Sequence, residues 1–204
     1  MQLQIKHLID KLGAIVLLTL SFPFWVLIVL AIKIEDRGPI FFRQDRLGLN
    51  GEIFSIFKFR SMVVNADNLL QKDGSVKGVS RVTQVGKIIR KTSLDELPQL
   101  LNILIGDMSF IGPRPALPTH LPRYTEEQKG RLAMRPGITG LAQVKGRNTL
   151  PWSKRIKYDR FYIRKFSLLL DMRIALLTVR TLLTGEGVVL DRNPQDVDDL
   201  GPAP

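Results

Sequence analysis

Residues 12–32 read LGAIVLLTLSFPFWVLIVLAI, a run of 21 residues without a charge. No other stretch limits so severely what this chain can fold into. One straight helix of that length would reach about 31 Å, the thickness of a bilayer's hydrocarbon layer, and it is too long and too apolar for a soluble core. A cleaved leader fits less well, because no small-x-small site follows and cleavage would remove the anchor. Two features separate the run from a plain crossing helix. Pro23 sits at its centre with Ser21 two residues earlier, so a backbone bond is lost where a hydroxyl can reach a freed carbonyl. Both flanks are also basic, Lys6 and Lys11 before, Lys33 and Arg37 after, so the positive-inside rule gives no direction. These features point to a re-entrant membrane helix over residues 1–36, broken at Ser21 and Pro23, with both ends on one face. A kinked crossing helix is the competing form.

The remaining charge is spread unevenly. The 204-residue chain has a net charge of +11, yet residues 186–204 hold five acids and a single arginine. The body over residues 37–185 is therefore basic and expects an anionic partner: nucleic acid, an acidic membrane face or phosphorylated substrates. The tail, 186–204, is acidic, rich in Asp, Gly and Pro, and expected to be flexible. The chain has no cysteine, which excludes disulfides and thiolate chemistry. His7 and His120 lie too far apart in sequence to suggest a shared metal site and read as surface residues.

Past the apolar run, two hydrophobic stretches bracket Asn50-Gly51, a strong hairpin signal. In the second stretch Lys58 and Arg60 are two apart, so a strand projects them from one face, either as a solvated edge or as cations aimed at phosphate. Residues 65–80 read as a short helix followed by a mobile loop. From Leu97 the apolar spacing is helical and stops at Gly106, a C-cap. Arg114 lies between Pro113 and Pro115, which presents its guanidinium from a stiff loop. In MRPGITGLAQVKGRN, Arg135, Lys145 and Arg147 are interleaved with Gly137, Gly140 and Gly146, and such glycines let a backbone approach a ligand closely. Residues 151–166 are amphipathic with a basic face, the composition of a helix lying in a membrane interface or of a core helix with a wet back. Asp159 falls inside the apolar stripe and needs a cation there. Asp171 and Arg173 interrupt the next apolar run before it could span a bilayer.

The stretch RKTSLDELPQLLN carries the sharpest chemical signal. Ser93-Leu94-Asp95-Glu96 matches a capping box, and acids favour helix N-termini. Pro98 complicates that register, since with Ser93 as N-cap it would be the fifth helical residue and would cost a backbone bond. With Asp95 as N-cap nothing is lost. Both registers stay open. Neighbouring helical residues point about 100° apart, so Asp95 and Glu96 suit two separate tasks better than a shared proton.

KFRSM, SLDELPQLLNILIGDMSFIGPRP and RPGITGLAQVKGRN, in that order behind a Ser/Pro-bearing apolar segment, resemble the bacterial sugar transferases. More narrowly, they resemble the small monotopic phosphoglycosyl transferases, over about residues 5–180. The resemblance implies a mixed α/β, mainly helical fold: a re-entrant membrane helix plus a small cytoplasmic α/β domain with interfacial amphipathic helices. It implies transfer of a sugar 1-phosphate from a UDP-sugar to undecaprenyl phosphate at the cytoplasmic face of the inner membrane, with Mg²⁺ and release of UMP. Asp95 would be the nucleophile, forming a phosphosugar intermediate, and Glu96 would help hold the metal. Arg90, Arg114, Arg135 and Arg147 would grip the donor, with Lys58 and Arg60 behind them and Gly137 and Gln143 completing the substrate-binding set. In the family the membrane helix breaks at a Ser-Pro pair; here Phe22 precedes Pro23 and the serine is one residue earlier.

Two readings from other classes start from the same charge: a membrane-tethered nucleic-acid-binding protein, and a non-catalytic membrane adaptor with Asp95-Glu96 as a cap only. No RNP, helix-turn-helix or zinc pattern supports the first, and nucleic acid is not among the expected partners. The residues leave the oligomeric state open.

Overall fold

A computed structural model describes residues 1–69, 80–146, 149–184 and 198–201. The architecture is mixed α/β and mainly helical. A long helix α1 (Gln2–Asp36) leads into an antiparallel hairpin of β1 (Phe41–Leu47) and β2 (Ile53–Phe59). The hairpin signal is borne out: Leu47 pairs with Ile53, and Asn50 and Gly51 in the connecting loop take φ of 55° and 85°. Then follow α2 (Gln84–Lys91) and α3 (Gln99–Ile105), which ends at Gly106 with φ 103° as its spacing predicts. A short parallel pair, β3 (Ser109–Ile111) and β4 (Gly137–Thr139), flanks α4 (Glu126–Lys129). Three helices follow, α5 (Leu141–Gly146), α6 (Trp152–Arg164) and α7 (Leu168–Thr184). Of the loop expected within 65–80, residues 70–79 lie outside the described residues.

The helix α1 is held at both ends by one and the same domain. Near its start Lys6 donates to Asp171 of α7 at 2.7 Å, Asp10 accepts from the Ser109 hydroxyl at 2.7 Å, and Ala14 packs with Leu100, Ile103 and Met108. Near its end Ile28 and Ile32 pack on Phe59 and Ile89. Asp36 pairs with Arg60, and Glu35 accepts the backbone N–H groups of Gln84 and Val85 at 2.6 and 3.1 Å, capping α2 from another element. Between these clamps the outward face is a sheet of exposed apolar side chains, among them Leu20, Phe22, Phe24 and Leu27.

The expected break is milder than an unwinding. The chain stays helical through Ser21 and Pro23, and the Ser21 hydroxyl donates to the Leu18 carbonyl at 3.4 Å, not to the Thr19 carbonyl that proline leaves without its usual donor. A helix tolerates one missing N–H when its neighbours stay bonded.

The structure also decides between the two forms left open for residues 151–166, and it changes the expectations for the tail and for His120. The apolar stripe of α6 turns inward, with Ile156 and Tyr162 in the core and Asp159 ion-paired to Arg131 at 2.7 Å, so α6 is a core helix with a wet basic back. The exposed apolar helix is α7, because Asp171 turns inward to Lys6 and to the Tyr162 hydroxyl and leaves Leu169, Met172, Leu176, Val179 and Leu183 outside. Residues 198–200 of the tail are docked, since Asp198 pairs with Arg123, Asp199 accepts from Ser153 and Leu200 joins Leu47, Tyr124 and Ile156; 185–197 lie outside the described residues. His120 is also no surface residue, for its ring is buried edge-on against Trp152 at 4.4 Å.

The Arg131–Asp159 pair is fully buried, and Arg131 also donates to the Tyr124 hydroxyl and the Arg114 carbonyl. Removing one member leaves an uncompensated charge inside. Asp159→Asn should therefore cost about 3–5 kcal/mol in chemical denaturation of detergent-solubilised protein. Lys129→Gln, which removes an exposed pair with Glu126, should cost under about 1 kcal/mol.

Candidate active site

The Asp-Glu pair sits in one turn of 3₁₀ helix, Leu94–Glu96, between α2 and α3. Neither capping register holds. Ser93 takes φ 59° and makes no side-chain cap, and Pro98 is itself the N-cap of α3, where its missing N–H costs nothing. Glu96 does not reach back to Ser93. Its Oε1 accepts from Lys58 Nζ at 2.6 Å and from Arg114 Nη2 at 2.8 Å. Glu96, which the sequence presents as a cap, thus belongs to an ion cluster.

The two carboxylates have opposite electrostatics. Burial alone would push the Glu96 carboxyl up, but Arg114 and Lys58 outweigh it and hold the group well below the usual range. Glu96 is a fixed anion. Asp95 is buried and makes no side-chain hydrogen bond or ion pair among the described residues. Burial lifts its carboxyl to about 6, with Glu96 adding to the rise while Lys58, Arg90 and Arg114 pull against it. A buried carboxylate that forgoes a partner is poised to act on something that arrives.

Arg114 is held by backbone bonds at five consecutive residues. Gly112 N–H donates to the Thr139 carbonyl, and the Pro113 carbonyl accepts from Gly137 N–H, each at 2.9 Å. The carbonyls of Arg114, Pro115 and Ala116 accept from Arg131 at 2.8 Å, Arg46 at 3.4 Å and Leu47 N–H at 2.9 Å. Gly137 is required by this fit: a Cβ there would lie 2.1 Å from the Gly112 nitrogen. The second glycine motif is therefore a brace for the Pro-Arg-Pro loop, and Gly137 acts through Arg114.

The predicted site residues separate into two groups. Lys58, Arg114, Asp95 and Glu96 come together, and Arg90 lies within electrostatic reach of Asp95 while its Nε donates to Ser61 at 2.8 Å. Arg60 does not join them; it is buried and spent on Asp36 at the end of α1, because β2 ends at Phe59 and the face shared with Lys58 is lost one residue later. Arg135 lies beside Gly106 and His7, at the far end of α3 from Asp95. Gln143 donates to the Ile138 carbonyl at 3.0 Å and braces β4. Arg147 lies outside the described residues.

Arg46 is a member that the sequence reading missed. Burial, then Arg114, depress its guanidinium to about 10, and its Nε is buried without a partner. A half-buried arginine beside a second arginine gains from an incoming anion. Asn102 is also new: fully buried, it accepts from Phe57 N–H at 3.1 Å and donates to the Ser55 carbonyl at 2.9 Å, tying α3 to β2 so that Lys58 meets Glu96.

Among the described residues, no three His, Asp or Glu side chains converge into a metal cage. Glu96 Oε2 carries no hydrogen bond, and Asp95 is unpartnered among the described residues. That donor set fits a hard divalent cation that takes one or two protein carboxylates and draws its other oxygens from substrate and water.

A description of "Bacterial sugar transferase" fits the family model that matches residues 1–185. The chain is 42% identical over 184 residues to the sugar transferase EpsL of Bacillus subtilis (strain 168), covering 90% of each. It is 44% identical over 184 residues to the UDP-glucose:undecaprenyl-phosphate glucose-1-phosphate transferase of Klebsiella pneumoniae, covering 85% of this chain and 39% of that protein. It is 38% identical over 197 residues to the undecaprenyl-phosphate galactose phosphotransferase of Salmonella typhimurium, covering 90% of this chain and 41% of that protein. This chain thus spans under half the length of these two relatives, whose names state a substrate.

The raised Asp95 pKa has a stability consequence. An acid whose pKa is higher folded than unfolded favours the folded state while protonated and loses that contribution as pH rises. Asp95→Asn should therefore raise the melting temperature at pH 7.5, and the gain should vanish as pH falls from about 6 toward 4. A thermal-shift series across that range reads the effect.

Proposed function

Because this chain belongs to the bacterial sugar transferase family, we propose that it transfers a sugar 1-phosphate from a UDP-sugar to undecaprenyl phosphate and releases UMP. The observation that carries this reading is the division of labour between adjacent carboxylates, Glu96 committed to two cations and Asp95 buried without a partner among the described residues. The names of the Klebsiella and Salmonella relatives support the choice of acceptor, and the former the choice of donor.

An Asp95 oxygen attacks the phosphorus that bears the sugar. The P–O bond to UMP breaks, and UMP leaves with the bonding electrons. An oxygen of undecaprenyl phosphate then attacks the aspartyl phosphorus, the acyl-phosphate bond breaks and Asp95 returns as a carboxylate. Both steps spread negative charge over phosphoryl oxygens, and Lys58, Arg90, Arg114 and Arg46 supply a fixed positive field there. Glu96 would hold Mg²⁺, which when bound would shield the diphosphate charge.

The same reading makes α1 a re-entrant helix dipping into the cytoplasmic leaflet of the inner membrane. Its support is that both ends of α1 dock on one domain while the middle exposes its apolar face. A helix of 35 residues would reach about 52 Å if straight, well beyond an upright crossing. The outward stripe of α7 suits the same interface. Since a polyprenyl acceptor stays in the bilayer, its phosphate meets Asp95 at headgroup depth.

Detergent-purified protein given UDP-sugars, Mg²⁺ and undecaprenyl phosphate should release UMP, at a rate that rises with pH through about 6 as Asp95 ionises. Asp95→Asn should lower turnover by about 10⁴-fold or more, and Arg46→Ala should cost about 10²–10³-fold in kcat/KM. Turnover retained by Asp95→Asn removes that residue from the nucleophile role.

A further inference from the structure

The transferase chemistry leaves the basic face of α6 unused. Part of that face forms one wall of an open groove of about 590 Å³ against α5, lined by Leu141, Lys145, Lys157, Tyr158, Phe161 and Arg164. Leu141 and Tyr158 belong to the inner cluster around Tyr162 and make the floor. Lys145, Lys157 and Arg164 are exposed, and none forms an ion pair among the described residues. No carboxylate lines the groove; Glu127, whose charge feels Lys157 and Arg164, is already paired with Arg160. Lys157, Phe161 and Arg164 follow i, i+4, i+7 spacing, so they share one helix face, and the Phe161 ring between the two cations is 47% exposed.

Three unpaired cations without a carboxylate call for an anion. The open aromatic and aliphatic lining calls for an apolar chain attached to it. A free nucleotide would satisfy the first demand and leave Phe161 in water. One wall of the groove, α5, also packs against α7, the helix whose outward apolar stripe is exposed. We propose that the groove between α5 and α6 binds an anionic phospholipid of the bilayer, its phosphate on Lys145, Lys157 and Arg164 and the start of an acyl chain along Leu141 and Phe161. The bound lipid would fix the rotation of the domain against the membrane surface, a role separate from that of the acceptor.

Native mass spectrometry of the delipidated full chain in detergent, with dioleoyl phosphatidylglycerol or dioleoyl phosphatidylcholine added at equal ratio, tests this. Wild type should retain one phosphatidylglycerol and little phosphatidylcholine. K157Q/R164Q should weaken that adduct roughly 25-fold, about fivefold for each headgroup contact removed. K154Q/K165Q removes the same charge from α6 and its C-cap, outside the groove, and should bind as wild type, while circular dichroism checks that both variants fold. Equal loss in the two variants, equal retention of the zwitterionic lipid, or an adduct formed with undecaprenyl phosphate and not with phosphatidylglycerol would each overturn the proposal. No sugar nucleotide is present, so the outcome is independent of the transferase reading.

Discussion

One oxygen of Glu96 accepts from both Lys58 and Arg114, and the rest of the site is arranged around that double contact. It fixes one carboxylate as a permanent anion and so frees its neighbour from any structural duty. It also fastens three separate pieces of chain together: strand β2 through Lys58, the turn before α3 through Glu96, and the Pro-Arg-Pro loop through Arg114. The fold invests heavily in keeping these pieces in place. Asn102 locks α3 to β2, the buried Arg131–Asp159 pair grips the Arg114 carbonyl, and Gly112 and Gly137 meet too closely for any side chain. The outcome is a cationic cradle containing one partly protonatable acid without a partner among the described residues, an arrangement that costs stability until a phosphate arrives.

The apolar helix solves a different problem with similar means. A segment this hydrophobic would settle in lipid by itself, but not at a defined depth relative to the site. Polar clamps supply that definition, Lys6 and Asp10 at one end, Glu35 and Asp36 at the other. Both sets bind elements of the catalytic body, so the position of the helix in the bilayer and the position of Asp95 are mechanically linked. The domain is held to the membrane by the same residues that hold it together.

Local signals were legible in the sequence; partners of charged residues were not. Asn50-Gly51 announced its hairpin and Gly106 its helix end, because both depend on backbone conformations that few residues adopt. Asp159 announced a need for a cation but could not name Arg131, 28 positions away. The Asp95-Glu96 pair carries a capping-box signal that leaves its register open, and neither register forms, since the competitor for Glu96 is a lysine 38 positions distant. Lys58 and Arg60 look equivalent on a strand and are not, because the strand stops between them. Helices α6 and α7 share the same period, and which stripe faces outward depended on Asp171 finding Lys6 across 165 positions. Arg46 carried no signal, being one arginine among many until burial set it beside Arg114.

The central claim is that the free carboxylate, not the clamped one, takes the phosphosugar. Intact-protein mass spectrometry after incubation with the sugar nucleotide and Mg²⁺, without a lipid acceptor, addresses it directly. The account requires the mass to grow by one sugar phosphate, and peptide mapping to locate that addition on Asp95. A protein that turns over yet never carries the adduct, or carries it on Glu96, contradicts the account.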